Sequence, residues 1–414
     1  MDVLHERCAG LDISKKDAKA CVRTPSTKHR GSFTTQTTTW GATTNAVLAL
    51  RDHLLAAEVT LVVIEATSDY WKPFYYLMAE ELNVILVNAR QVKNLPGRKT
   101  DVSDAAWLAQ LGAHGLVRAS FVPPQPIREL RDLTRARTQM TRERGQIVQR
   151  LEKLLEDTGI KLAAVASDIM GVSGRAMLEA LIDGERDPQI LAEMAKSKLR
   201  NKIPELTEAL TGRFREHHAF LVRLHLDHYD QLTTAVQRLD ERIEEAMVPF
   251  RLALDLLDTI PGINQATAEV IIAETGGDMA RFASAKHLAS WAGVCPGHHE
   301  SAGRTKNTKV RPGNPYLKGA LGLAAFGAVR TKDTYLQARY KRLTARRGPL
   351  KALVAVEHSI ITAIWHMLTD NVPYRELGSS YFRQRDPERA ARRAITALNQ
   401  LGYTVTLNPI ESAA

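Results

Sequence analysis

An α/β domain followed by a mainly α-helical body is the fold class this sequence predicts, and three stretches carry that prediction. Ala9, Leu11 and Ile13 alternate like one face of a buried strand, and Lys19 to Arg23 follows as a second strand after a short polar turn. Val59 to Ala66 is a nearly continuous apolar run, as expected of a central strand covered on both faces. Leu130, Leu133, Met140, Ile147, Leu151 and Leu154 then keep a heptad-like stripe, the mark of one long helix.

Between the first strands and the apolar run, Gly31 to Gln36 reads as a third strand. Asn45 to Ala57 reads as a helix on the spacing of Val47, Leu48, Leu50, Leu54 and Leu55. Tyr70 to Leu82 reads as a second helix and Val84 to Asn88 as another buried strand. Three strands, then helix, strand, helix, strand and helix, make a mixed α/β layer built on one sheet. Thr100 is positioned to cap the last helix, with Asp101 and Asp104 in its first turn. The proline-rich break Val122 to Ile127 ends this domain, predicted over residues 1–122.

Residues 123–250 are predicted to form a helical, coiled-coil-like region. Arg137 and Arg144 fall on the apolar stripe of its first helix, and Arg128, Arg131, Arg135, Arg142 and Arg150 surround it. A solvated helical arm fits this pattern, and so does a coiled-coil arm that also touches phosphates. The density of arginine favours the second, with Arg131, Arg135 and Arg142 as contacts. A second heptad-like helix runs through Tyr229, Leu232, Val236, Leu239, Ile243 and Met247. His217, His218, His225 and His228 have no fixed set of acids or cysteines around them, so amphipathic surface is expected there, not a metal site. A third region is predicted over 251–345 and a helical extension over 346–414. In that extension Val354 to Leu368 and Pro387 to Gln400 read as helices and Tyr403 to Leu407 as a short strand.

A formal net charge of +10 favours a polyanionic partner, although charge alone does not separate nucleic acid from an acidic membrane. No apolar run approaches the roughly 20 residues of a membrane span, and the N-terminus lacks a signal-peptide core. The three scattered cysteines, Cys8, Cys21 and Cys295, make no disulfide framework, which points to a reducing cytoplasm.

The acidic residues carry the chemistry. Asp12 stands inside a strand between two apolar residues, where a carboxylate is costly to bury unless something pairs with it. Capping the next turn would account for it alone. Asp101 and Asp104, at i and i+3, share one helix face, and by themselves they are ordinary partners of a helix dipole. Joined by Asp12 and by Glu65 at the end of the apolar strand, they become four carboxylates from three elements. Such a set suits a pair of hard cations about 4 Å apart, as used in phosphoryl transfer.

Further along, Leu256 to Ile272 reads as a helix, a tight Pro-Gly turn and a second helix. Gly262 would allow close backbone approach to a DNA phosphate at the next helix start; a plain helical hairpin is the alternative. Arg281 to Gly303 follows, then Arg304, Lys306, Lys309 and Arg311, a run suited to phosphate contact. Ser284 and Ser290 read as packing or capping residues. Cys295, His298 and His299 make a poor zinc set, with one cysteine and two neighbouring histidines.

The blocks Gly-Leu-Asp-Ile-Ser-Lys, Ile-Glu-Ala-Thr-Ser-Asp-Tyr-Trp and Arg-Lys-Thr-Asp-Val-Ser-Asp-Ala resemble the acidic blocks of the DEDD transposases of insertion sequences. That family has a RuvC-like N-terminal domain of the ribonuclease-H type. Carried over, its tetrad is Asp12, Glu65, Asp101 and Asp104, which implies bound Mg2+ or Mn2+. The block Gly293-Val-Cys-Pro296 is similar to the family's Gly-Leu-x-Pro element, which leads to a Ser-Gly pair bearing the nucleophile. The matching serine is Ser301; Ala302 separates it from Gly303, and Val294 stands for the usual leucine. The resemblance implies a recombinase guided by a structured bridge RNA that pairs with donor and target double-stranded DNA. It also implies a homo-oligomer, a dimer or a tetramer in the synaptic complex, whose serine forms a covalent 5′-phosphoserine link. A metal-dependent junction nuclease using water is a competing reading, and a catalytically inactive nucleic-acid-binding derivative is another. The presence of all four carboxylates weighs against the last.

Overall fold

Ala9, Leu11 and Ile13 do alternate inward, and the strand they define is the centre of a five-stranded sheet. In the computed structural model, residues 2–29, 31–66, 68–88, 104–297, 299–301, 303–307 and 309–406 are described. The chain divides into two units, Met1–Pro123 and Pro124–Ala414.

In the first unit, β1 (Cys8–Ile13), β2 (Asp17–Pro25) and β3 (Phe33–Gly41) form an antiparallel meander. Helix α1 (Thr44–Ala56) leads to β4 (Leu61–Glu65), which lies parallel to β1, and α2 (Trp71–Met78) leads to β5 (Val84–Val87), parallel to β4. The strand order is β3-β2-β1-β4-β5. The third strand extends past the predicted Gln36 to Gly41, in register with the whole of β2. Helix α2 stops at Met78, short of the predicted Leu82, and a turn carries the chain into β5.

Each face of this sheet has its own cover. Leu11, Val62 and Ile64 pack with Val47, Leu50 and Leu54 of α1 and with Phe74 and Met78 of α2. Cys8, Leu61 and Val63 face the opposite way and pack with Trp107, Leu108 and Leu111 of α3 (Asp104–Ala113). The approach of α3 is very close: a Cβ at Gly10 would lie 2.1 Å from the Ala105 carbonyl oxygen and 2.4 Å from the Ala109 nitrogen. Gly112 does the same from the helix side, where a Cβ would meet Val63 at 2.5 Å. Thr100 and Asp101, predicted to open this helix, lie outside the described residues.

The second unit is helical. Helix α4 (Gln125–Thr158) carries the predicted stripe, and Leu130, Ile147 and Leu151 are buried within the unit. Helices α5 (Val172–Ile182), α6 (Pro188–Glu193) and α7 (Ile203–Leu210) form a cluster that α8 (Glu216–Met247) closes. Arg137 of α4 meets Asp240 of α8, and Asp157 meets His218, so the two long helices run antiparallel. The histidines expected on amphipathic surface divide: His218 is buried, and its Nδ1 accepts from the Arg215 N–H at the start of α8.

Beyond α9 (Arg251–Asp258) and α10 (Gln265–Thr275), α11 (Ala285–Ala292) precedes a hairpin of β6 (His299–Ser301) and β7 (Arg304–Asn307). Ser284 caps α11, its hydroxyl accepting from the His287 N–H. Helices α12 (Pro315–Arg330), α13 (Tyr335–Arg347) and α14 (Pro349–Asp370) complete this core, and α15 (Pro387–Gln400) lies outside it with no buried residue. Helix α14 is long and apolar enough to cross a membrane by length and composition alone, but Val356, Ile360, Ile361 and Ile364 are buried in the helical core. The strand predicted from Tyr403 is not formed: residues 403–406 have no regular structure, and Leu407 lies outside the described residues.

The packing of β1 on α3 leaves no room for a methyl group. Gly10→Ala is therefore expected to force the helix away from the sheet and to destabilise the protein by about 3 kcal/mol. Urea unfolding would show a lower midpoint, and hydrogen exchange would show faster exchange at the α3 amides; unchanged exchange there would refute the steric account.

Candidate catalytic carboxylates and the serine hairpin

Alternation along β1 puts Cys8, Gly10 and Asp12 on the face that α3 covers. Alternation along β4 does the same for Leu61, Val63 and Glu65. Leu11 pairs with Ile64 between these parallel strands, so Asp12 and Glu65 follow side by side at their C-terminal ends. Asp104 is the first residue of α3, one before the Ala105 that touches Gly10. Three acids from three elements thus share one side of the sheet, all half-buried.

Their electrostatics agree with that placement. Burial pushes the Asp12 carboxyl above the usual carboxylate range, and the Asp104 carboxylate pushes it the same way. Lys19, opposite Asp12 on β2, pulls in the other direction. An all-oxygen set of this kind suits a hard divalent cation. Among the described residues, no three acidic, histidine or cysteine side chains already form a group that could hold an ion. Asp101, the fourth expected acid, lies outside those residues.

Ser301 is the last residue of β6 and pairs with Arg304 of β7. Gly303 takes φ +74° there, a conformation that suits glycine in a tight hairpin. Below the hairpin, Pro296 bridges Val310, and the Gly297 N–H donates to the Lys309 carbonyl. Arg304, Lys309 and Arg311 are exposed on this segment. The side chains of Ser301 and Lys306 lie outside what is described.

A buried ionic network holds the hairpin's base. Glu274 of α10 is fully buried and accepts two hydrogen bonds from Arg135 of α4, at 2.7 and 2.8 Å. Arg131 approaches the same carboxylate and also donates to the Glu274 carbonyl. Asn314 donates its side-chain amide to Glu274, while its carbonyl oxygen caps α12 immediately after the hairpin. Gly293 and Gly313 fit backbone against backbone just inside it. Arg131 and Arg135, expected at phosphates, are thus engaged inside the protein. Arg142 lies beside the Tyr316 ring at 5.9 Å.

Gly262 also has a packing role within its own unit. Its φ is +89°, and a Cβ would lie 2.3 Å from both the Ala324 oxygen and the Ala328 nitrogen of α12. This close approach is to a helix of the same unit, and Asn264 caps the start of α10. The contributions of Gly10, Glu274 and Asn314 went unrecognised in the sequence. A glycine inside a strand pattern was the one local signal available for the first.

Comparison with known proteins bears on these geometries. A family model of the DEDD transposases of IS110, described as a transposase, matches residues 9–160. A second, described as the transposase IS116/IS110/IS902 family, matches residues 254–341. Similar proteins include the IS900 uncharacterized 42 kDa protein of Mycobacterium paratuberculosis, 26% identical over 72% of this chain and 79% of that protein. The pilin gene-inverting protein of Moraxella lacunata is 25% identical over 88% of this chain and 96% of its own length. The transposase for insertion sequence element IS1111A of Coxiella burnetii is 23% identical over 77% of this chain and 80% of that protein.

The mixed sheet, its helical body and these matches define a DNA transposase or recombinase. Within that class, the chain belongs to the IS110/IS116/IS902 family of insertion-sequence transposases.

Two substitutions separate support from chemistry. Arg135→Ala leaves the buried Glu274 short of its bidentate partner and is expected to cost about 3 kcal/mol in urea unfolding. Asp12→Asn, by contrast, removes a like charge from beside Asp104, so in the presence of a chelator its melting temperature should equal or exceed that of the wild type. A clear drop would mean that Asp12 is held by a stabilising partner.

Proposed function

We propose that this transposase cuts and rejoins DNA through a serine nucleophile, Ser301, assisted by the carboxylates Asp12, Glu65, Asp101 and Asp104. The observation that carries the reading is the placement of Asp12, Glu65 and Asp104 on one side of the mixed sheet, two of them at the ends of parallel strands. These acids would hold Mg2+ or Mn2+, which when bound supplies charge neutralisation at the attacked phosphate. Arg304, Lys306, Lys309 and Arg311, around and after the hairpin, add positive charge for the DNA backbone, and Arg142 is a further group for phosphate.

In the reaction, Ser301 Oγ forms a bond to phosphorus and the bond from phosphorus to the 3′ oxygen breaks. The serine proton is passed on, and the departing 3′ oxygen takes one up, leaving a 3′-hydroxyl and a 5′-phosphoserine. Attack by the 3′-hydroxyl of another strand reverses the exchange, restores the serine and joins the strands. One phosphodiester is exchanged for another, so no external energy source is needed. Ser301 and the carboxylates act on the same phosphodiester in the assembled DNA complex, supplied by one protomer or by two. A structured bridge RNA pairing with donor and target DNA is the proposed guide, on the family resemblance, and a homo-oligomer the proposed working form. The inverting function named for the Moraxella relative is compatible with strand exchange of this kind.

The test uses donor and target DNA, the RNA transcribed from the sequence flanking the gene, and magnesium, with denaturing gels and mass spectrometry. A protein–DNA adduct on Ser301, lost in Ser301→Ala, is the expected result. Asp12→Asn should lose cleavage while keeping DNA binding, because binding rests on Lys and Arg. Normal cleavage by Ser301→Ala, with free 5′-phosphate ends, would assign the chain to the water-using nucleases instead.

A further inference from the structure

Helix α13 and the segment from Tyr381 to α15 enclose a cleft of about 900 Å³, and its walls are unusually one-signed. Arg342 and Arg346 line it from α13, and Arg385, Arg389 and Arg393 line it from the other side. Arg383 joins them, against a single acid, Asp386. That carboxylate is already engaged, accepting from the Arg389 N–H as the cap of α15. All six arginines are exposed, and among the described residues none of them forms an ion pair. A merely solvated surface would mix its signs, whereas this one holds six like charges close together with no counter-charge but Asp386, which self-repulsion disfavours.

The spacing within each wall is regular. Arg342 and Arg346 are four residues apart on α13, as are Arg389 and Arg393 on α15, a rise of about 6 Å along each helix, and Arg385 stands four residues earlier in the turn that leads into α15. An aromatic side chain lies among them: Phe382 lines the cleft, stacks on Tyr335 at 5.2 Å and has Arg342 4.5 Å above its ring. A groove walled by arginines is the general form of a site that follows the backbone of one nucleic-acid strand, and the packed Phe382 ring holds Arg342 in that wall.

We propose that this cleft binds a single nucleic-acid strand through its phosphodiester backbone. Most of its lining lies beyond residues 254–341, the second family match, and the cleft is separate from the carboxylates and Ser301. Its test therefore stands apart from that of the catalytic reading. Backbone chemistry is shared by RNA and single-stranded DNA, and the probes distinguish them.

The full chain and a variant carrying Arg342→Ala, Arg346→Ala, Arg389→Ala and Arg393→Ala are titrated with fluorescein-labelled single-stranded RNA, single-stranded DNA and duplex DNA across a salt series. For RNA or for single-stranded DNA, the variant's affinity should fall about tenfold or more. The slope of log affinity against log salt should fall by about 0.7 for each phosphate that is no longer neutralised, about 3 in all. The strand that shows the fall identifies the natural source. Melting should change little, since the four side chains are exposed and only Arg342 has a packing contact, with the Phe382 ring. If the fourfold variant does melt early, Arg389→Ala with Arg393→Ala, confined to the unburied α15, gives the same reading with a slope change of about 1.4. Unchanged single-strand affinity and slope in a variant of normal melting behaviour, or a fall seen only with duplex, would overturn the proposal.

Discussion

The absence of a side chain at Gly10 is the constraint from which the acidic site follows. Any Cβ there would collide with the backbone of α3 at Ala105 and Ala109, so only glycine lets that helix lie directly on the central strand. Because Asp104 immediately precedes Ala105, the same close approach brings its carboxylate to the side of the sheet that carries Asp12 and Glu65. Placing Asp12 there is unfavourable: burial, and then the neighbouring Asp104 carboxylate, push its carboxyl above the usual range. The packing of Cys8, Leu61 and Val63 against Trp107, Leu108 and Leu111 supplies the apolar burial that opposes it.

The second unit solves a comparable problem with the opposite chemistry. Glu269 and Glu274 of α10 are buried acids, and α4 supplies the arginines that neutralise them: Arg137 for the first, Arg131 and Arg135 for the second. A buried pair of this type adds little net stability but is costly to break, so it fixes a particular docking of helices. Through Asn314 that docking extends to the start of α12 and thus to the base of the hairpin that bears Ser301. Several arginines of α4 that sequence composition offers to phosphate are therefore committed to shaping the protein. Exposed basic residues lie on the hairpin and line the C-terminal cleft, and Arg142 is exposed on α4.

Local pattern determined much of this protein. Alternation at Ala9, Leu11 and Ile13, the apolar run at β4, the helical spacing of α1 and the long stripe of α4 are all consequences of how successive side chains face one surface, and each element formed where that periodicity predicted it. The acidic blocks were legible for the same reason: Asp12 and Glu65 stand out because they interrupt or end apolar strands. Tertiary structure decided what periodicity does not encode. Which partner a charge finds depends on residues far away in the chain, so Arg131 and Arg135 met Glu274, and Gly262 met α12, without any local sign of it. Long-range docking also set Ser301 in a hairpin closed by Pro296 and Val310, and it brought the arginines of α13 and α15 to opposite walls of one cleft. A single residue's neighbours fix its secondary structure, but its electrostatic environment is set by whatever the completed fold places beside it.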